Sequence, residues 1–176
     1  YAPQFSTDLH KFAIEGLAIN YRASGEVRGH LGWDPQRKPY RLSEHQGDLR
    51  ALTFTGETGW VLPADADSTN APPPSPATLT VLREAAGERK LATLATLPNA
   101  KRPEPIGKAG EQVHAVRFAG ARGYVVTFRR IDPLYVLDLA NPADPRIAGS
   151  LEVPGFSDWL YPLNDALLFG VGREVD

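Results

Sequence analysis

The chain has 176 residues, 42% hydrophobic and 23% charged, which is the composition of a globular protein with a core of its own. A formal net charge of −2 gives no positive field to attract phosphates, so nucleic acid and anionic membranes are not expected partners. The absence of cysteine excludes thiol catalysis, disulfides and cysteine-ligated zinc, and no apolar run reaches the length of a membrane span. Because the sequence starts at Tyr1 and contains no methionine, we expect it to be part of a longer chain.

Short strand-like runs follow one another along the whole sequence. They are rich in Val, Leu, Tyr, Phe and Thr and mostly bounded by Gly, Pro, Asn or Asp, at 49–55, 78–82, 124–128, 134–139 and 166–171. No window combines helical spacing of apolar residues with capping residues at its ends. The pattern therefore predicts antiparallel sheets without intervening helices.

Two interleaved sets of segments repeat along the chain. One set reads as hairpins at 10–29, 79–98 and 134–155, and the other places a turn before an apolar strand at 45–56, 118–130 and 161–173. We take Phe12, Val81 and Val136 as equivalent positions. The interval from Phe12 to Val81 is then longer than that from Val81 to Val136 by the length of the Pro-, Ser-, Ala- and Asp-rich segment 63–76. We interpret 63–76 as a poorly ordered loop inserted within one repeat.

The repeat predicts an all-β fold, a partial β-propeller of four-stranded antiparallel blades, with about three blades' worth of strands. The second set supplies strands A and B of each blade and the first set supplies strands C and D. A single fragment over 1–176 then consists of a C-D half blade at 9–29, a blade at 41–98, a blade at 113–155 and an A-B half blade at 157–173. A β-sandwich of the same strands is the alternative.

One stretch of about 60 residues resembles a known family. Its recurring elements are two apolar strands, at 124–129 and 136–139, and three short motifs. The motifs are Asp-Pro-Leu at 132–134, Asn-Pro at 141–142 and Pro-Gly-Phe-Ser at 154–157. They resemble the bacterial and archaeal secreted proteins with a C-terminal β-propeller domain distantly related to WD-type repeats, although 33–39 and the insert depart from that pattern. The resemblance implies a secreted, periplasmic or cell-envelope-associated propeller, and no enzymatic activity that could be carried over to particular residues.

The long connections of a propeller blade lie on one face, here 30–40, 57–77, 99–112, 129–133 and 154–158, and loops on a rigid scaffold often bind ligands. On this face Arg129 and Asp132 occupy a tight turn, while Asp158 and Trp159 occupy the next entry to strand A. Their charged groups could hold a polar ligand, with Trp159 as an apolar platform. Alternatively an arginine pairs with Asp132 or Asp158 and ties neighbouring blades together.

His114 and Arg117 lie on a strand A, which lines the channel of a propeller. Strict alternation from His114 through Val116 and Phe118 predicts that these three share one face. The four histidines are not spaced as the ligands of a metal site. The carboxylates that could bind calcium form no dense ligand loop, so no metal or cofactor is expected. They are Asp65, Asp67, Asp138, Asp144, Asp165 and Asp176.

These features predict a non-catalytic binding or scaffold module for a protein or polar small molecule at the long-loop face. The alternative is an enzyme or redox protein whose channel site is completed by blades outside this chain. Convergence of His114, Arg117, Asp132 and Asp158 in one cleft, with a strongly perturbed acid or base, would favour the enzyme. Exposed edges of the first and last strands are candidates for self-association.

Overall fold

The computed structural model describes residues 5–55, 75–128, 132–153 and 156–173. Within these ranges the chain forms twelve strands and one short 3₁₀-helix at Lys38–Arg41. The strands of the first half are β1 (Ser6–Glu15), β2 (Ala18–Arg28), β3 (Leu42–His45), β4 (Asp48–Phe54), β5 (Ala77–Glu84) and β6 (Leu91–Leu97). Those of the second half are β7 (Gln112–Ala119), β8 (Arg122–Phe128), β9 (Asp132–Asp138), β10 (Arg146–Val153), β11 (Phe156–Pro162) and β12 (Leu168–Arg173).

The strands form four antiparallel sheets, which we number along the chain. The first sheet is the hairpin β1-β2, the second is β3-β4-β5-β6, the third is β7-β8-β9-β10 and the fourth is the hairpin β11-β12. Each four-stranded sheet is a simple meander, as expected for a propeller blade. The predicted all-β, partial-propeller fold is confirmed, and four sheets rather than two exclude the sandwich.

Consecutive sheets pack face to face through three separate clusters of buried side chains. The cluster between the first and second sheets includes Leu9, Val27, Leu82 and Leu91. The cluster between the second and third includes Leu52, Leu79, Val116, Val125 and Leu137, and that between the third and fourth includes Ala115, Tyr124, Val126 and Leu160. Each inner sheet is therefore apolar on both faces, which accounts for strands without polar alternation such as β8.

Every hairpin of the C-D type carries one extra residue on its second strand. These unpaired residues are Arg22, Leu94 and Ala148. The bulges make Lys11 equivalent to Val81 and Val136. Each of these three residues is the last one on the first strand of its hairpin before the pairing register shifts. The expected equivalence of Phe12 is therefore wrong by one residue, since a bulge changes the count without changing the sequence pattern.

The insert predicted at 63–76 lies outside the described residues over 63–74. Its last two residues are described: the hydroxyl of Ser75 accepts a hydrogen bond from the backbone N–H of Ile106 at 3.0 Å, and Pro76 is buried. The end of the insert, which leads directly into β5, is thus held by a hydrogen bond to the connection between β6 and β7.

Gly29 lets the chain cross from the first sheet to the second. Its φ is +91°, and a Cβ at this position would overlap the carbonyl oxygen of Phe54. The next residue, His30, pairs with Phe54 through two backbone hydrogen bonds. Only glycine permits this approach, and it directs the connection 30–41 across the end of the second sheet towards β7.

Candidate functional site

The connection 30–41 is fastened to β7 by two arginines. Arg37 Nη1 donates a hydrogen bond to the carbonyl oxygen of His114 at 3.2 Å, and Arg41 Nη2 donates to that of Val113 at 3.1 Å. The two acceptors are consecutive backbone groups at the start of the third sheet. The first long connection and the first strand of the third sheet therefore form one surface.

A β-bulge presents each of the two polar groups at the centre of this surface. In β7 Val113 and Ala115 face consecutive residues of β8, which leaves His114 as the extra residue. In β11 Ser157 and Trp159 face consecutive residues of β12, which leaves Asp158 as the extra residue. Bulges commonly redirect a side chain in this way.

The bulge corrects the expectation that His114, Val116 and Phe118 share one face. Val116 and Phe118 pack in the cluster between the second and third sheets, whereas His114 bonds to Asp158 of the fourth sheet. Strict alternation fails here because His114 is the one residue inserted into the ladder.

Asp158 is held by two donors from different elements. Its Oδ1 accepts a hydrogen bond from His114 Nε2 at 2.7 Å and another from Arg37 Nη2 at 2.9 Å. Partial burial by itself would raise the pKa of the Asp158 carboxyl, but the hydrogen bond and charge of His114, together with Arg37, outweigh burial and lower it below its usual value. Asp158 is therefore an ionised, structurally fixed carboxylate at neutral pH.

Arg37 connects three parts of the chain, although the sequence did not single it out. Besides Asp158 and the carbonyl of His114, its Nε lies 3.1 Å from Asp34 Oδ2. An arginine does pair with Asp158, but it is Arg37, and it joins the connection 30–41 to the fourth sheet and not two neighbouring blades. The only sequence signal was the departure of 33–39 from the family pattern.

Arg41, also missed by the sequence, is a buried arginine next to this network. Its residue surface is 4% exposed, and its guanidinium carbon lies 4.2 Å from the centre of the Phe54 ring. Its Nη1 has no hydrogen-bond partner among the described residues. Burial, followed by repulsion from Arg37, lowers the pKa of Arg41 to about 10, so the group remains charged at neutral pH.

These groups line a cleft of about 240 Å³ between the connection 30–41, β7 and β11. The guanidinium carbon of Arg117 lies 5.0 Å from the centre of the Tyr40 ring, an arrangement typical of a cation–π contact. On the opposite side Trp159 stacks on Tyr161 with ring centres 5.4 Å apart. The cleft therefore combines charged groups with aromatic walls; its lining includes Arg37, Tyr40, Arg41, His114, Arg117, Asp158 and Trp159.

The structure brings four of the six sequence-predicted site residues to this one cleft: His114, Arg117, Asp158 and Trp159. Arg129 lies outside the described residues. Asp132 begins β9, and its side chain is outside the described part of the chain.

Of the carboxylates considered as calcium ligands, Asp144 and Asp138 have arginine partners, and Asp165 accepts a hydrogen bond from Arg122 through its backbone carbonyl at 2.7 Å. Asp144 accepts two hydrogen bonds from Arg102, at 2.9 and 2.6 Å, and the hydrogen bonds and charge of that arginine lower the pKa of Asp144 to about 2. Asp138 likewise accepts from Arg146 at 2.7 Å and caps the following turn. Asp65, Asp67 and Asp176 lie outside the described residues.

A larger groove of about 680 Å³ lies at the other end of the sheets, among the hairpin turns. Its principal charges are already paired. Arg83 makes two hydrogen bonds to Asp48, and Glu84 is contacted by both Lys11 and Arg22. The groove is therefore a self-compensated polar surface, in contrast to the cleft.

Four-stranded antiparallel meanders packed face to face are the blades of a β-propeller protein. The chain belongs to the family described as Beta propeller domain, which matches residues 2–176. No helix within the described ranges is long and apolar enough to cross a membrane.

Two archaeal proteins are similar to this chain. "Uncharacterized protein MJ1554" of Methanocaldococcus jannaschii is 32% identical over 177 residues, covering 97% of this chain and 22% of that protein. An "Uncharacterized protein" of Archaeoglobus fulgidus is 52% identical over 64 residues, covering 36% of this chain and 10% of that protein. The chain thus spans about a fifth of the length of the first relative and about a tenth of the second.

Proposed function

We propose that the chain is a non-catalytic binding module of an extracytoplasmic β-propeller, and that its ligand is a small polar molecule held in the cleft between the connection 30–41, β7 and β11. The observation that carries this proposal is the cleft itself, in which separate elements place charged and aromatic side chains around one space. Such a combination of aromatic walls and a few fixed polar groups is typical of small-molecule sites.

Asp158 and Arg41 of the cleft suit binding better than acid–base catalysis. A catalytic acid or base works best with a pKa near the working pH. The shifts of Asp158 and Arg41 leave both groups ionised at neutral pH, the first as an anion and the second as a cation. Fixed charges of this kind orient a ligand and do not exchange protons with it.

The network around Asp158 keeps the cleft in shape before a ligand arrives. Arg37 joins the connection 30–41 to Asp158 of β11, and the bond from His114 to Asp158 joins β7 to β11. A site whose walls are already fixed loses less conformational entropy on binding. We assign Arg37, His114 and Asp158 to positioning, and Arg117 and Trp159 to ligand contact.

Chemical-shift mapping by NMR on the whole chain tests the proposal. A panel of small anionic, cationic and neutral compounds is titrated, and at least one is expected to shift amides of 36–41, 114–117 and 158–160 together. Trp159→Ala is expected to weaken that binding. Trp33→Ala is the matched control, because Trp33 is 73% exposed and lies outside the cleft. Shifts confined to the groove among the hairpin turns would contradict the proposal.

The extracytoplasmic location follows from the family resemblance and is proposed separately. Fractionation of cells that make the full-length protein, with detection by an antibody against this chain, measures it. Recovery of the protein in the cytoplasmic fraction alone would contradict the location and leave the binding proposal unaffected.

A further inference from the structure

The charges that line the cleft do not balance. Arg37 is paired with two carboxylates, Asp34 and Asp158. Within the described part of the chain neither Arg41 nor Arg117 makes an ion pair. Neither of these two guanidinium groups has a described carboxylate partner of its own, and the three arginines outnumber the two carboxylates, Asp34 and Asp158, that pair with Arg37.

Arg41 is the less usual of the two because it is almost fully buried. Buried charges in proteins are as a rule paired, since removing a charge from water is costly unless a partner compensates. Among the described residues Arg41 makes one hydrogen bond to a backbone carbonyl and one aromatic contact, and its buried Nη1 has no partner there. Its charge acts across the floor of the cleft, where reduced access of water strengthens electrostatic interactions.

Arg117 is the group that remains available for direct contact. It is partly buried, and its guanidinium rests on the Tyr40 ring at 5.0 Å, which orients the fork. No acceptor within the described ranges takes its N–H groups. A guanidinium with a fixed plane and free donors is suited to bidentate contact with a planar or tetrahedral oxyanion.

We infer that the cleft binds an oxyanion, namely a carboxylate or phosphate group carried by a small molecule, with Arg117 contacting the anion and Arg41 supplying buried counter-charge. This inference rests on the proposed function and names the chemical class of its ligand. The negative charge of Asp158 is offset by Arg37, whose Nη2 donates to Oδ1, as does His114 Nε2. A volume of about 240 Å³ corresponds to about eight water molecules, a size that suits a small acid.

Titrations of the whole chain with sodium phosphate and with sodium acetate, at constant ionic strength set by sodium chloride, test the inference by NMR. At least one of the two anions is expected to bind at a single saturable site mapped to the cleft. Arg117→Gln is expected to weaken that binding by about tenfold or more, as for loss of a charge-assisted hydrogen bond. Arg117→Lys, which keeps the charge, is expected to recover part of it.

Arg146→Gln is the matched control, because it removes an arginine that pairs with Asp138 away from the cleft. It is expected to leave anion binding unchanged. Tighter binding of acetate assigns the site to carboxylates, and tighter binding of phosphate assigns it to phosphate groups.

Three results would overturn the inference. Non-saturating shifts that are equal in the parent and Arg117→Gln proteins would mean adventitious ion binding only. Binding of glucose or guanidinium in the cleft, with no binding of either anion, would refute the oxyanion class and leave the binding function standing. Absence of cleft binding by the anions and by the whole polar panel would refute both proposals.

Discussion

The bond between Arg37 and Asp158 predicts a measurable energetic coupling between the connection 30–41 and the fourth sheet. An exposed ion pair contributes about 0.2–1 kcal/mol, and a shielded hydrogen bond to a charged group about 1.5–3 kcal/mol. The two side chains are 34% and 31% exposed, with Nη2 and Oδ1 2.9 Å apart. We therefore expect a coupling of about 1 kcal/mol, between these two ranges.

A double-mutant cycle of Arg37→Gln and Asp158→Asn, followed by urea denaturation, measures this coupling. The asparagine keeps an oxygen that can accept the hydrogen bond from His114, so the cycle isolates the charge pair. For a chain of 176 residues, 1 kcal/mol corresponds to a Tm change of about 2–4 °C. Raising sodium chloride to about 1 M should reduce the coupling, because salt screens partly exposed charges.

The pair Arg146 and Asp138 supplies the control for this cycle. It lies within one sheet, its side chains are 57% and 28% exposed, and we expect its coupling to be about 0.5 kcal/mol or less. A coupling between Arg37 and Asp158 no larger than that of the control pair would refute the conclusion that this bond holds the cleft together.

Further predictions concern the backbone, the core and a half-buried histidine. Gly29→Ala should lower the free energy of unfolding by about 3 kcal/mol because its Cβ would collide with Phe54, whereas Gly47→Ala, which shares a positive φ but has open space, should cost about 1 kcal/mol; urea denaturation separates them. Leu160→Ala should cost about 2–5 kcal/mol in the same assay, since it empties the cluster between the third and fourth sheets; a loss below 1 kcal/mol would contradict that packing. Burial, with nearby positive charges, lowers the pKa of His30 below 6.5, so the unfolded chain binds the proton at a higher pH than the folded chain does. The contribution of His30 to stability should therefore be constant above pH 6.5 and fall below it. His30→Phe should flatten this part of the profile of urea midpoint against pH.

The sheets could be predicted because their determinants are local. The apolar runs at 49–55, 78–82 and 134–139 each have turn residues beside them, and they coincide with β4, β5 and β9 to within two residues at their ends. The positions of the bulges could not be predicted, because an extra residue in a ladder depends on the partner strand. This is why the equivalence of Phe12 was one residue out.

The cleft could be predicted only in part, for a related reason. Asp158 and Trp159 lie at the start of a strand that the repeat located, so their approach to His114 follows from the fold. Arg37 contacts His114 and Asp158 across 77 and 121 residues, respectively, and no local pattern records contacts of that length. The connection that carries Arg37 and Arg41 has no equivalent segment elsewhere in the repeat, so it could not be aligned with one.

At the two bulges, the side chains that form the polar cleft are different residues from those that pack the sheets together. Val113 faces the second sheet and Ala115 faces the fourth, so these neighbours of His114 would alternate correctly even without the residue between them. His114 and Asp158 therefore have little part in the apolar packing on either side. Evolution or design can exchange the side chains at these two positions, and with them the selectivity of the cleft, while the sheets keep their register.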